Sequence, residues 1–190
     1  MQYVRLKIFI SKIYESVRKM ENENIEARES MIHNKGVFAK KDIPADTRIA
    51  EYTGEKITKE ESERRLQNTG FVYIMWLNEE FDIDGDTEEN IAKYSNHSCD
   101  PNCKMEIEDD RVWLISTRDI KEGEEITWDY EHRWDDFEDK EDIRCNCGSE
   151  NCRRYMARRE DSERIDEYLK KKEEEEKAIK DQPQAAVSSA

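Results

Sequence analysis

No stretch of the chain comes near the roughly 20 uninterrupted apolar residues that a helix needs to cross a bilayer. The opening segment, Met1 to Met20, is interrupted by Arg5, Lys7 and Lys12. It has neither the continuous apolar run nor the small-residue cleavage site of a secretory signal. The expectation is a protein with no membrane span that stays inside the cell. Hydrophobic residues are scarce, at 35% of 190 residues against 42% charged, so the core is modest and part of the chain is a solvated helix or tail. Positive charge is also short: 32 Lys and Arg face 47 Asp and Glu, giving a formal net charge of -15 and a pI near 4.8. That balance repels nucleic-acid phosphates, so no direct nucleic-acid binding is expected, and it attracts Lys/Arg-rich partners. No cysteine precedes Cys99. An odd number of thiols, crowded into the second half of a chain kept reduced, argues against a disulfide framework and for a metal site.

What is present is one domain's worth of patterned sequence with appendages, since domains run to roughly 100–200 residues. Residues 1–25 read as an apolar and basic N-terminal extension. From Ile32 to Tyr130 the pattern is of short strands broken by turns: Gly36 to Ala39, then Arg48 to Thr53 after the turn Pro44-Ala45-Asp46. Phe71 to Leu77 and Phe81 to Ile83 follow, then the turn Asp84-Gly85-Asp86; Arg111 to Ser116 comes after the acidic turn at Glu108 to Asp110. Lys59 to Gln67 reads as a polar surface helix with Thr58 as its N-cap. A weak internal echo links Lys41-Asp42-Ile43, leading through a turn to Ile49–Tyr52, with Arg118-Asp119-Ile120, leading to Ile126–Tyr130. Beyond Cys152 a charged helix is expected, packed only through Ile165, Tyr168 and Leu169, with the Lys171–Glu176 block in solvent and Gln182 to Ala190 a disordered tail. The domain scheme is an extension over 1–25, a folded domain over 26–135, a cysteine module over 141–157, a charged helix over 158–181 and a tail over 182–190.

Cys145, Cys147 and Cys152 have the spacing C-x-C-x4-C. Three soft thiolates this close, with Gly148 letting the loop turn back, reach one tetrahedral zinc ion. Asn146, Ser149, Glu150 and Asn151 between them are not core residues, which argues against plain buried thiols, and a redox dithiol is usually C-x-x-C. A closed structural site needs a fourth ligand, for which the residues offer Cys99, Cys103 and His132.

The run Asn90-Ile91-Ala92-Lys93-Tyr94-Ser95-Asn96-His97-Ser98-Cys99-Asp100-Pro101-Asn102-Cys103 is patterned for neither helix nor strand and reads as a loop held by side-chain hydrogen bonds. It resembles the central signature of SET-domain protein-lysine methyltransferases, and further motifs fall in the family's order. Asn34 to Ala39 resembles the first cofactor turn, Glu51-Tyr52-Thr53-Gly54-Glu55 the strand after it, Gly123 to Tyr130 the motif ending in the catalytic tyrosine, and Cys145 to Cys152 the post-SET module. The resemblance covers about residues 30–155; the cysteine-rich pre-SET cluster of some members is absent.

The resemblance implies a mainly β fold, the β-clip of small sheets with a pseudoknot, followed by a zinc-binding post-SET loop and the charged helix. It implies S-adenosyl-L-methionine as cofactor and one structural zinc ion held by Cys99, Cys145, Cys147 and Cys152, with Cys103 a packed thiol. Lys35 and Gly36 would meet the cofactor through backbone groups, Tyr73 would line its pocket, and Lys93 stands where an arginine is common. Asn96 and His97 would hold its amino-acid and adenine portions. Tyr130 would place its hydroxyl near the sulfonium and the lysine nitrogen, with Tyr52 and Trp128 walling the lysine channel. Asn34 stands in the place of a usual glycine, and Trp128 where Phe or Tyr tunes the number of methyl groups added. His33 and His132 are matched by no motif and read as structural or exposed.

The implied substrate is a lysine on a basic protein or peptide, a histone-like tail given the acidic balance, with the enzyme a monomer at the nucleus or chromosome of a eukaryote or in the cytoplasm of a prokaryote. Competing readings are a catalytically weak SET module that binds peptide, a methyltransferase of a non-histone protein, and a zinc-dependent interaction protein. The chemistry suits the residue types. A free lysine has a pKa of about 10.4, and a tight aromatic channel beside a sulfonium charge disfavours the ammonium form, leaving the neutral amine as nucleophile.

Overall fold

The computed structural model describes residues 22–68, 73–136 and 143–180; the N-terminal extension up to residue 21 and the tail at 182–190 lie outside these. Among the described residues ten short strands form three small sheets. In the first, β1 (Ile25–Glu29) pairs antiparallel with β2 (Lys35–Ala39), β2 with β10 (Glu125–Trp128), and β10 runs parallel to β7 (Asn96–His97). The second has the order β3 (Arg48–Tyr52), β9 (Arg111–Ser116), β8 (Cys103–Glu108), and the third β4 (Glu55–Thr58), β6 (Phe81–Asp84), β5 (Ile74–Trp76). Among the described residues two α-helices accompany them, α1 (Lys59–Asn68) and α2 (Arg159–Lys180). No helix among the described residues is long and apolar enough to cross a membrane.

Local chemistry explains most boundaries. The Thr58 hydroxyl accepts from the Glu61 N–H at 3.3 Å and caps α1, as the sequence predicts. Arg65, on the same helix, reaches Glu61, Asp84 and Glu55 and so ties α1 to β4 and β6. The acidic turn before β9 is tight, with Asp109 and Asp110 at φ 51 and 58, the left-handed pair that matches the twist of a two-residue hairpin. That turn makes β8 the partner of β9, a strand the alternation of the sequence does not reveal because four of its six residues are exposed. The strand expected from residue 71 occupies only Ile74–Trp76, residues 71–72 lying outside the described ones.

Two departures matter for the site. The Asn90–Cys103 run is not a simple loop: Ile91–Tyr94 forms a 3-10 turn and Asn96–His97 a short strand. Its backbone is satisfied by β10, because tertiary pairing overrides a run that lacks local strand propensity. Residues of the expected N-terminal extension also contact the fold: Ile25 is buried and the Asn22 amide donates to the Ile49 carbonyl at 3.0 Å.

Two apolar cores result. The main one gathers Val37, Ile43, Ile49, Tyr52, Leu114, Ile120 and Ile126, with Cys103 among them. A smaller one joins Ile143, Tyr155 and Ala157 to Ile165 and Leu169 of α2, so the helix packs through its first turns. Tyr168, expected to pack too, is 42% exposed and covers the edge of Trp134 instead.

Candidate active site and metal centre

Four sulfurs converge where the Asn-His run meets the C-terminal loop. The Sγ atoms of Cys99, Cys145, Cys147 and Cys152 all lie within 4.8 Å of one another. Cys99 is 3.7 Å from Cys145 and 3.9 Å from Cys152, close to the ~3.8 Å edge of a tetrahedron with Zn–S bonds of about 2.3 Å. Backbone N–H groups point at the sulfurs: Arg153 to Cys99 at 3.3 Å, Cys147 to Cys145 and Arg154 to Cys152 at 3.4 Å each. Such donors favour thiolate over thiol. The residues therefore fit a zinc ion, and the expected fourth sulfur, Cys99, is the one brought in. Cys103 is not; it sits in the main core, 1% exposed, where burial pushes its thiol up to about 12. His132 stacks edge-on against Tyr130 rather than joining the cluster. Gly148, at φ 71, supplies the left-handed turn of the module.

His97 connects this cluster to Tyr130. Burial, partly opposed by Asp129, holds its pKa down at about 4, so the ring is neutral. Nδ1 accepts from the Tyr130 backbone N–H at 3.1 Å, which puts the proton on Nε2, 3.3 Å from the Cys99 sulfur. Asp129, between them in sequence, is gripped at both oxygens by Arg153 at 2.7 Å, fastening the cysteine loop to the end of β10.

The aromatic side chains form a wall around the Ser95 carbonyl. It accepts from the Tyr130 hydroxyl at 2.9 Å and from the Trp128 indole N–H at 3.2 Å, the two rings lying 4.7 Å apart. Tyr52 donates its hydroxyl to the Tyr73 carbonyl at 2.8 Å. Burial raises the pKa of Tyr52 and Tyr130 well above the usual phenol range, so both stay protonated. Beside Tyr52, Gly85 has no room for a side chain, since a Cβ there would stand 2.4 Å from the ring.

A second group surrounds Asn96. Its amide N–H donates to the Lys35 carbonyl at 2.9 Å and to a Glu125 oxygen at 2.8 Å, and the Ser30 hydroxyl also donates to Glu125. The Glu125 carboxylate lies over Gly36, where a Cβ would fall 2.2 Å from it; a side chain at this position of the expected cofactor turn would displace the carboxylate that Asn96 and Ser30 hold. Asn34 tolerates φ 38 in the same turn, as its residue type predicts. Lys93 places its ammonium 5.0 and 5.3 Å from the ring centres of Tyr73 and Tyr94 and 3.0 Å from Asp86. Burial works against that charge, but the Asp86 bond and the tyrosines outweigh it and the pKa rises.

The sequence leaves several members of this arrangement unmarked. Asn102, 2% exposed, uses both ends of its amide on β10, accepting from Thr127 N–H at 2.9 Å and donating to the Glu125 carbonyl at 2.8 Å. Glu125, Arg153 and Asp86 were likewise unpredicted. Only the placing of Arg153 next to Cys152 offered a local hint, because the partners of all four lie elsewhere in the chain.

The SET-domain family profile matches residues 34–131. Human histone-lysine N-methyltransferase 2D is 37% identical over 164 residues, covering 82% of this chain and 3% of that protein. Trr of Drosophila melanogaster is 35% identical over the same length, covering 82% and 6%. The H3 lysine-4 specific histone-lysine N-methyltransferase of Aspergillus oryzae is 34% identical over 149 residues, covering 73% and 12%. The chain thus spans a small fraction of each relative's length. With the profile covering Asn34 through Tyr130 and the four thiols closing on the Asn-His strand, the chain belongs to the SET-domain family.

Proposed function

We propose that the chain is an S-adenosylmethionine-dependent protein-lysine N-methyltransferase acting on a histone or similarly basic tail. The observation that carries this is the continuous line from the four thiols through His97 to the backbone of Tyr130. It makes the post-SET module part of the wall around the aromatic channel. The names of the relatives support the reaction class, and the excess of 47 acidic over 32 basic residues supports a basic substrate.

The cofactor, when bound, supplies an electrophilic methyl group on a sulfonium. Asn96 has its amide N–H groups committed to Lys35 and Glu125, leaving its Oδ1 to accept from the cofactor's ammonium. Lys35 and Gly36 offer main-chain groups, and Tyr73 and Lys93 line the same side. The His97 ring is committed to Tyr130 and Cys99, so its hold on the adenine portion is through the main chain. The Tyr130 proton is committed to Ser95 O, so its oxygen can only accept from a further partner. That suits an incoming lysine amine, whose N–H it would orient while leaving the nitrogen lone pair free. Tyr52 and Trp128 exclude water from the channel and disfavour the ammonium form. Alignment, rather than a strong base, then supplies most of the acceleration. A zinc ion held by Cys99, Cys145, Cys147 and Cys152 would do no chemistry itself; it would fix the loop beside Tyr130.

The organisation proposed is a SET domain over 26–135, a zinc module over 141–157 and the helix over 158–181 packed upon it, working as a monomer in the nucleus. The test is incubation of the zinc-loaded chain with labelled S-adenosylmethionine, core histones and whole-cell protein. Labelled lysine in histones supports the reading; labelling confined to other proteins moves the substrate; cofactor binding without any transfer replaces the enzyme with a binding module.

A further inference from the structure

The Lys93 ammonium is in an unusual position for a surface-loop lysine. Its side chain is 7% exposed, yet its only ion-pair partner among the described residues is Asp86, whose own side chain is 68% exposed. An ammonium carries three N–H donors, and Asp86 is the one acceptor they have among the described residues. The other faces are taken by the rings of Tyr73 and Tyr94, which attract the charge without accepting a conventional hydrogen bond. A second cation, the Lys35 ammonium, lies 5.1 Å from the same Tyr94 ring. Two positive charges therefore lie near the Tyr94 ring, and the one carboxylate bonded to Lys93 is largely in water.

The two ends of this pair differ in what separation would cost. Asp86, already mostly solvated, regains full hydration when it swings away. Lys93 cannot reach water to the same extent, and a buried charge stripped of its partner is costly. Asp86 can leave only if another anion arrives at Lys93. We propose that Asp86 is an exchangeable counter-ion, holding Lys93 charged and in place until the α-carboxylate of the cofactor replaces it, with Lys35 as the second cation of that carboxylate site. This rests on the S-adenosylmethionine reading above and adds to it a residue that competes with the ligand. Asp86 is thus a positioning residue, setting cofactor affinity through Lys93.

The test is calorimetric titration of the full zinc-loaded chain and of its Asp86→Asn variant with three probes: S-adenosylmethionine, S-adenosylhomocysteine and decarboxylated S-adenosylmethionine. Asp86→Asn should tighten the two carboxylate-bearing ligands by roughly two- to fivefold, the equilibrium equivalent of one partly exposed ion pair. It should give no tightening of the decarboxylated ligand, and in a Lys93→Gln background the gain should vanish. A general structural effect of the substitution would move all three ligands together, and that result overturns the proposal. So does weaker binding of the carboxylate-bearing ligands to Asp86→Asn. If the unaltered chain binds none of the three probes, the cofactor reading falls and takes this inference with it.

Discussion

Ile43 and Ile120 exchange both of their backbone hydrogen bonds, each N–H donating to the other's carbonyl at 2.8 Å. The neighbours repeat the exchange at a constant sequence offset. Asp46 N–H donates to Ser116 O at 2.9 Å, and Gly123 N–H to Ala39 O at 2.8 Å. The Asp119 carboxylate caps the Ala45 N–H at 2.9 Å, and that of Asp42 caps the Glu122 N–H at 3.0 Å. Asp46 and Gly123 both have left-handed φ, at 58 and 81. The echo in the sequence is therefore a local two-fold junction that joins the sheet containing β2 and β10 to the one containing β3 and β9.

Because Ile120 is fully buried at that junction, Ile120→Ala should destabilise the fold by about 2–5 kcal/mol, the usual cost of a cavity at a well-packed site. Urea unfolding followed by tryptophan fluorescence reads this directly. A midpoint equal to that of the unaltered chain would mean that the junction is peripheral.

Removal of zinc should uncouple the active site from the core. Cys147→Ser, or a strong chelator, is expected to abolish methyl transfer while far-UV circular dichroism keeps the β signal of the three sheets. Cys103→Ser, altering a thiol outside the cluster, should retain one zinc per chain by metal analysis. Full activity after verified metal loss would refute the clamp.

The aromatic wall makes separable predictions. Tyr130→Phe removes the hydroxyl held by Ser95 and should lower transfer at least 100-fold, the lower range for a positioned polar group in catalysis, with cofactor affinity nearly unchanged. Trp128→Phe opens the channel and should shift the mono-, di- and trimethyl distribution seen by mass spectrometry of a substrate peptide. An identical distribution would remove Trp128 from the channel.

Tyr52 gives a stability signature at alkaline pH. Burial first, then the neighbouring Tyr130 and Asp84, raises its phenol above the ordinary value of 10.0. The unfolded chain gives up this proton near pH 10 while the native one retains it, so the native state binds more protons and stability falls as pH rises beyond 10. Tyr52→Phe should cost about 0.5–1.5 kcal/mol at neutral pH, for the lost bond to Tyr73 O. It should also flatten the decline between pH 9 and 11 in urea midpoints. An unchanged slope would show that Tyr52 does not contribute.

Features that repeat locally or are spelled out in contiguous runs were legible along the chain. The C-x-C-x4-C spacing pointed to a metal site, Thr58 capped its helix, and Asn34 and Gly148 occupied left-handed turns, because each follows from bonds within a few residues. Through family motifs the sequence also reached Cys99, which spacing alone left open beside Cys103 and His132. Which polar groups meet across long separations emerged from the fold. The Asn102 amide lies along β10, Arg153 grips Asp129, Glu125 covers Gly36, and Asp86 holds Lys93. Asn96–His97 became a strand, against its own propensity, because Thr127 and Trp128 offered backbone partners that no pattern along the chain could announce. Buried polar groups must be paired somewhere, but their partners are chosen by the fold.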